Sequence, residues 1–454
     1  MIVSFSVANF RSFSSEETFS LVASNRLSAS HEDHMIEIPE TSERVLKTGV
    51  IYGANGAGKS NLFKALDYLK SIALNSRKKN SGTGRDAFRF NAETDRTSDF
   101  DLQFIAENKF YRYGLKLDDQ RIVEEWLLVG KNEKILYERV TDDKGSVTVE
   151  AEGLKSAGKK LKALVTVGSL QNQTFLATIQ ATLEAVDFGE ELNNVITWFD
   201  DNLTLISPDT SFGSLGHLLE KDDEFAAFAS EFLKSSSTGV DKLNVQKNEI
   251  TEDELRNLLP KNVVSELLEA FNDDKDTALI QLSEGNELLI ERTDTNHYFR
   301  IMIRAKHQSL NGHSMELDLS EESDGTQRLL NLLPALHRLK QGNAVFFIDE
   351  IDRSMHPILS KRFLEFFLNF CDGGQHQIIV TTHESNLLDL ELLRRDEIWF
   401  AEKDDSGATR LYSLSDFKVR HDLDIRKHYL QGRFGAIPFI GNLEQLQLRK
   451  DENA

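Results

Sequence analysis

Cysteine is almost absent from this chain. Cys371 is the only one among 454 residues, which excludes an intrachain disulfide and any thiolate metal cluster and fits a reducing cytoplasm. Long apolar runs are missing as well. No window approaches the roughly 18 consecutive apolar residues of a membrane span, and the opening MIVSFSVANF alternates too strictly to be a signal peptide. Excess positive charge is also lacking. The net charge is −21, so phosphate-backbone binding, which rests on Lys and Arg, is disfavoured although not forbidden. The local basic segments RKK (77–79) and KSAGKKLK (155–162) read as solvated loops. A basic or multivalent protein partner suits this charge better than DNA does. Internal repeats, low-complexity tracts and a long heptad arm are missing too, and the last excludes a coiled-coil rod. What remains is an ordinary globular composition, 40% hydrophobic and 28% charged, over a length that calls for two or three structural units.

Four segments follow from texture. Residues 1–85 read as strand, loop, strand, phosphate loop and helix, with a short buried strand at VIY (50–52) and apolar Leu62, Leu66, Leu69 and Ile72 at helical spacing. Residues 86–151 alternate in short runs separated by polar turns, as in an antiparallel meander. Residues 152–300 are expected to be mainly helical. They are also acidic: from 220 to 276, 15 Asp or Glu stand against 7 Lys or Arg, which makes this surface a place for a protein partner. Residues 301–454 return to an α/β rhythm: the strand AVFFIDE, a helix near 358–370, the strand QIIVTT, a helix near 385–393 and the strand EIWFAE. Strands alternating with helices imply a mainly parallel, covered sheet shared by both ends of the chain.

The chemistry lies in three motifs. GANGAGKS (53–60) matches G-x-x-x-x-G-K-[ST] in full, after a strand and at the start of a helix. Glycines let backbone amides turn towards phosphates, and the helix N-terminus adds partial positive charge. Gly53, Ala54, Asn55, Gly56, Ala57, Gly58, Lys59, Ser60 and Asn61 are therefore the expected nucleotide-binding residues. Lys59 would reach the β- and γ-phosphates, and the Ser60 hydroxyl would ligate Mg²⁺. At the end of AVFFIDEID, Asp349 is placed to complete the metal shell and Glu350 to polarise an attacking water. Neighbours on a strand point opposite ways, so two such carboxylates share a site only where the backbone turns. His383, just past IVTT, is placed to hydrogen-bond a γ-phosphate or the water. A fourth stretch, SDGT (323–326), begins a capped amphipathic helix. Gly325 would let a phosphate approach the backbone, and Ser323 and Thr326 offer hydroxyls.

A phosphate loop near the N-terminus, a long insertion, then Ser-x-Gly-Thr, Asp-Glu and His resembles the ABC-type ATPases of the SMC, RecF and OLD group. The resemblance implies an α/β, ABC-type P-loop ATPase head with a mainly parallel sheet, an antiparallel β-subdomain and a helical insertion. It implies that Ser323, Asp324, Gly325 and Thr326 are a signature acting in trans, that Asp352 and Ser354 of DRSMHP stand in the D-loop, and that Arg11 of NFRSF approaches the nucleotide. MIVSFSVANFRSF, ESDGTQRLL, FIDEIDRSMHP, TTHESNLLD, RRDEIWFAEK and YLQGRFGAIPFI look like AAA-family proteins of the RloA and PARIS-ATPase-subunit type, found beside anti-phage and abortive-infection genes. The likeness covers both ends, about half the chain. The family's Q-loop glutamine is not assignable, Gln103 being a weak candidate.

Three functions share these motifs. The favoured one is an ATP-dependent defence switch that dimerises head-to-tail around ATP and Mg²⁺ within a larger homo-oligomer. It would control a separately encoded effector, such as a Toprim-type nuclease, in response to a phage-encoded trigger. The stretch after His383 is too short for a Toprim domain, so no nuclease activity of its own is expected. A RecF- or SMC-like DNA-repair or clamping ATPase is the alternative, and a soluble transporter subunit is disfavoured by the acidic insertion. The expected location is the cytoplasm.

Overall fold

The computed structural model describes residues 1–27, 30–90, 96–154, 158–209, 215–272, 277–281, 287–293, 297–308, 311–339, 342–370, 374–418 and 423–437. Cys371, residues 155–157 of the basic segment and residues 438–440 of the tail motif lie outside them. The chain forms two compact units: Met1–Ser207 with Gly342–Ile351 and Leu364–Ala454, and Pro208–Gln341 with Asp352–Phe363.

Among its described residues the first unit holds two large sheets and a small antiparallel pair, Met35–Glu37 with Arg44–Leu46. One large sheet has six strands in the order Leu203–Ile206, Ala344–Ile348, His376–Thr382, Thr48–Tyr52, Ile398–Lys403 and Thr409–Ser413. Its first five strands run parallel, and the last closes an antiparallel hairpin. The strands AVFFI, HQIIVTT and TGVIY are buried at every residue, as expected of parallel strands covered on both faces. Both ends of the chain contribute to this sheet. Its edge strand Leu203–Ile206 comes from the middle of the chain, where four residues gave no readable signal.

The other sheet is an antiparallel meander of Val147–Glu150, Lys134–Thr141, Ile122–Val129, Lys109–Leu117 and Ser98–Ala106, extended by Ile2–Ala8 and Glu17–Ser20. Gln103 sits in mid-strand there, opposite Ser4 and Arg112. One hydrophobic cluster joins the two sheets with the helices Lys59–Leu74, Phe175–Thr182 and Glu190–Thr197. The helix Lys59–Leu74 gives it Leu62, Phe63, Leu66, Leu69 and Ile72.

Among its described residues the second unit contains five strands. Val240–Ile250 pairs along one edge of the long strand Tyr298–Gln308. The other edge is shared by Glu287–Arg292, followed by Thr277–Gln281, and by Ser314–Asp318. Residues 152–300 do carry more helix than strand, yet four of the strands in this sheet begin within them. Sequences such as VDKLNVQKNEI alternate too weakly to announce a half-buried strand. A second departure concerns residues 385–393, expected to form a helix. Only the 3₁₀ turn Ser385–Leu387 forms there. The Glu384 carboxylate accepts the Asn386 amide and Asp389 accepts that of Glu391, and such local side-chain bonds compete with helix propagation. No helix among the described residues is long and apolar enough to cross a membrane.

A buried glutamine locks the chain start to the parallel sheet. Gln377 Oε1 accepts the Ile2 amide at 2.7 Å, and its Nε2 donates to the carbonyls of Ile2 and Leu46 at 2.9 and 2.8 Å. An unpaired buried backbone group costs about 1–3 kcal/mol. Gln377→Leu is therefore expected to lower the stability of the chain by about 3 kcal/mol, read as a reduced midpoint in urea denaturation with an unchanged slope.

Candidate active site

The phosphate loop follows the strand Thr48–Tyr52 and leads into the helix Lys59–Leu74. Gly56 and Gly58 hold φ of +78° and +108°, and Gly58 is the residue that begins the helix. No side-chain-bearing residue adopts the latter angle readily. A Cβ on Gly58 would also run into Thr409 and Ser12, and one on Gly53 into the Ala401 carbonyl. The loop is braced from behind by hydroxyls. Thr409 Oγ1 lies 2.7 Å from Ser12 Oγ and donates to the Ala57 carbonyl at 2.9 Å, while Asn61 Nδ2 donates to Ser12 Oγ at 2.8 Å. Asn61 thus directs its amide at the brace. Ser12 and Thr409 carried no sequence signal, since they belong to segments far from the loop in the chain.

Lys59 is 4% exposed. Its ammonium donates to the carbonyls of Gly53 and Ala54 at 2.8 and 3.2 Å and lies 3.2 Å from both ring nitrogens of His383. Residues 59 and 383 are thus brought together from opposite ends of the chain. His383 directly follows the strand His376–Thr382, and its side chain is exposed.

Strand register places the carboxylates at the same end of the sheet. Ile348 pairs with Val380, which pairs with Val50. Asp349, Thr381 and Ile51 are therefore level, two residues short of Gly53. The Asp349 amide still donates to the Ile206 carbonyl at 2.9 Å, continuing the ladder. At Glu350 the backbone turns left-handed, with φ of +49°, which breaks the strand alternation between the two carboxylates. Thr381 bridges them: its hydroxyl donates to Asp349 Oδ1 at 2.5 Å and accepts the Glu350 amide at 2.8 Å. A strand threonine inside IVTT reads as β propensity alone, so this role was not legible.

The residues fit a triphosphate and Mg²⁺. The amides of Lys59 and Ser60 lie ahead of the hydrogen-bond ladder of the helix Lys59–Leu74, which starts with the amides of Asn61 and Leu62 on the Gly58 carbonyl, and the space beside Gly56 is open for 4 Å. The Ser60 hydroxyl and the Asp349 carboxylate are the oxygen donors a hard cation prefers.

Arg11 stands next to the bracing Ser12. Its backbone is left-handed, with φ of +52°, and its amide donates to the Asp86 carbonyl at 2.6 Å. The guanidinium lies 3.6 Å from Asp86 Oδ2 and 5.9 Å from the Phe10 ring centroid.

Ser323, Asp324, Gly325, Thr326, Asp352 and Ser354 belong to the second unit. Ser323 caps the helix Asp324–Arg338, accepting the Thr326 amide at 3.2 Å. Ser323 and Asp324 are exposed, whereas Thr326 is buried with its hydroxyl 2.9 Å from Ser323 Oγ. A Cβ on Gly325 would lie 2.6 Å from the Ser354 carbonyl, and Ser354 is itself left-handed at φ +61°. Gly325 thus has a packing reason for being glycine, beside any approach of a phosphate.

The protein-family model described as "AAA domain, putative AbiEii toxin, Type IV TA system" matches residues 50–389. No curated protein matches the chain. Among solved structures, an SMC head bound to the C-winged helix domain of ScpA aligns at 12% identity and TM-score 0.39, over 91% of this chain and 97% of that one. The SMC head domain from Thermotoga maritima aligns at 12% identity and TM-score 0.37, over 91% and 98%. An SMC head with an extended coiled coil, bound to the C-terminal domain of ScpA derived from Pyrococcus furiosus, aligns at 14% and 0.37, over 91% and 96%. Superpositions this loose carry no weight; strand order and the phosphate loop define the fold.

The Thr381 bridge is testable. Thr381→Val keeps the shape of the side chain but leaves Asp349 and the Glu350 amide without their shared partner. Phosphate release from ATP is expected to fall about tenfold, in line with about 1.5 kcal/mol for a hydrogen bond to a charged group. Unchanged turnover in a variant of normal melting temperature would remove Thr381 from the site.

Proposed function

The chain belongs to the AbiEii-type AAA-domain family, and from that premise we propose that it is the ATP-hydrolysing switch of an anti-phage, abortive-infection system. In this reading it resembles the RloA and PARIS-ATPase-subunit type, closes head-to-tail on ATP as a dimer within a larger homo-oligomer, and controls a separate effector, such as a Toprim-type nuclease. A phage-encoded protein is the trigger. The observation that supports it is the gathering of Lys59, His383 and the Asp349–Thr381–Glu350 bridge at the carboxyl ends of adjacent parallel strands. In open α/β sheets ligands bind at such ends.

The roles follow from the chemistry of each group. Backbone amides from Gly53 to Ser60 and the Lys59 ammonium hold the phosphates. Binding moves the Lys59 ammonium from the carbonyls of Gly53 and Ala54 onto phosphate oxygens, and so releases His383 to donate to the γ-phosphate. Ser60 and Asp349 would hold Mg²⁺, which would neutralise charge developing on the phosphates. Glu350 accepts a proton from water as its oxygen attacks the γ-phosphorus; the bond to the β,γ-bridging oxygen breaks, leaving ADP and phosphate. Ser323, Gly325 and the amides at the start of the helix Asp324–Arg338 present a second phosphate-facing helix end, which a second copy of the chain would bring to the first copy's ATP. Asp324 adds negative charge there, Asp352 and Ser354 border the turn, and Arg11 approaches the nucleotide.

The net charge of −21 favours a protein effector over duplex DNA. Tight, salt-sensitive binding to duplex DNA at physiological salt would instead favour the clamping reading.

Glu350→Gln is expected to slow ATP turnover by about 10²–10⁴, the usual contribution of a positioned base. The variant should also accumulate as an ATP-dependent dimer in light scattering, while Lys59→Ala loses nucleotide binding and stays monomeric. Wild-type turnover by Glu350→Gln would overturn the catalytic assignment.

A further inference from the structure

A trio of side chains of metal-ligating type lies elsewhere in the first unit, on the turn after the first strand pair. His31 precedes a single 3₁₀ turn, Glu32–His34. Three residues per turn bring side chains three apart into register, and the imidazoles of His31 and His34 stack with ring centroids 4.8 Å apart. Asp33 projects beside them, exposed. One ligand atom from each of His31, Asp33 and His34 lies within 4.8 Å of the others.

Each ring has a hydrogen-bond partner outside the trio. His31 Nε2 lies 3.0 Å from the Leu390 carbonyl. A carbonyl only accepts, so Nε2 carries the proton and Nδ1 keeps its lone pair. His34 is 4% exposed, and its Nδ1 lies 2.9 and 3.1 Å from the two oxygens of Glu397. Glu397 is itself fully buried and also accepts the Arg394 amide at 2.7 Å. With Nδ1 donating to that carboxylate, Nε2 of His34 keeps a lone pair and has no protein partner among the described residues. The platform beneath Glu397 is rigid: the buried Arg394 forks onto Asp396 at 2.9 Å through both Nε and Nη2, and Asp396 accepts the Ser24 amide at 2.7 Å. An imidazole whose second nitrogen donates to a carboxylate or carbonyl is the arrangement that orients metal-binding histidines and raises their basicity. His31 also holds a left-handed backbone, φ +44°, a cost of about 1 kcal/mol or more that surrounding structure must enforce.

We propose that His31, Asp33 and His34 bind a divalent transition cation of the Zn²⁺ type, with Glu397 and Leu390 as the outer partners that orient the two imidazoles. Two nitrogen donors and one carboxylate suit such an ion better than Mg²⁺ or Ca²⁺, which prefer oxygen alone. Bonds of about 2.0–2.1 Å in tetrahedral array put ligand atoms about 3.3 Å apart. Modest rotation of exposed Asp33 and half-buried His31 closes that gap, leaving a fourth position for water. Nothing in this site depends on the nucleotide reading.

The full chain, stripped with a chelator, is titrated with Co²⁺ in the absence of nucleotide and then with competing Zn²⁺. The wild type is expected to take one equivalent with the visible absorption of four-coordinate Co²⁺, to lose that absorption to Zn²⁺, and to melt at higher temperature with Zn²⁺ present. His31→Gln and Asp33→Asn should each abolish the absorption while melting like the metal-free wild type. Glu397→Gln, a positioning change, should weaken Co²⁺ about 10–100-fold without changing its spectrum. Absence of four-coordinate absorption in the wild type, or the same stoichiometry and affinity in Asp33→Asn as in the wild type, overturns the proposal.

Discussion

A parallel strand buried on both faces can offer its chemistry to water only where it ends. TGVIY, AVFFI and HQIIVTT are covered at every residue, so their polar work is confined to the residues just beyond them. Those residues are the phosphate loop, Asp349 with Glu350, and His383. Because the three strands are neighbours in register, their ends form one ledge. Thr381 is the exception that makes the ledge specific. Its hydroxyl, buried within the strand, ties the carboxylate of one residue and the amide of the next, so the left-handed step at Glu350 is held by hydrogen bonds on both sides.

The ledge also needs support from behind, and the supports come from far along the chain. Ser12, Asn61 and Thr409 share one small hydroxyl-and-amide cluster against the Ala57 carbonyl. That cluster joins the turn after the first strand, the phosphate-loop helix and the last hairpin. Arg11 owes its position to it, being the residue before Ser12 with its amide bound to the Asp86 carbonyl. Gln377 performs the same task lower in the sheet by pairing both backbone groups of Ile2. A buried polar side chain with all partners satisfied specifies one arrangement of the elements around it.

These supports explain which parts of the molecule were legible in the sequence. Gly53 to Ser60, Asp349, Glu350 and His383 announce themselves because their spacing is local and the strands before them are strongly apolar. Thr381, Ser12, Thr409 and Gln377 act through partners that are distant in the chain, and each alone looks like an ordinary strand or turn residue. The sheet within residues 240–318 was hidden by weakly alternating strands such as Val240–Ile250, and the edge strand Leu203–Ile206 by its brevity. Gly325 was read as an opening for phosphate, while its close approach to the Ser354 carbonyl shows a second requirement. That contact makes residues 323–326 and 352–354 one packed turn within their unit, so a side chain at Gly325 would disturb Ser354 before any phosphate arrived.

The two candidate cation sites in the first unit differ in the quality that decides occupancy. Ser60 and Asp349 supply oxygen, and the phosphates of a nucleotide would supply more, which is the environment of a hard, strongly hydrated ion such as Mg²⁺. His31 and His34 supply imidazole nitrogen, each ring oriented by an acceptor on its far side. Transition cations rank by affinity for nitrogen, and Mg²⁺ does not compete there at cellular concentrations. Occupancy of one site is thus chemically independent of the other. The turn at residues 31–34 contacts the C-terminal half through Leu390 and Glu397, in the stretch between His383 and the strand Ile398–Lys403. A cation on the turn would therefore tighten the segment that follows His383 without entering the nucleotide's coordination shell.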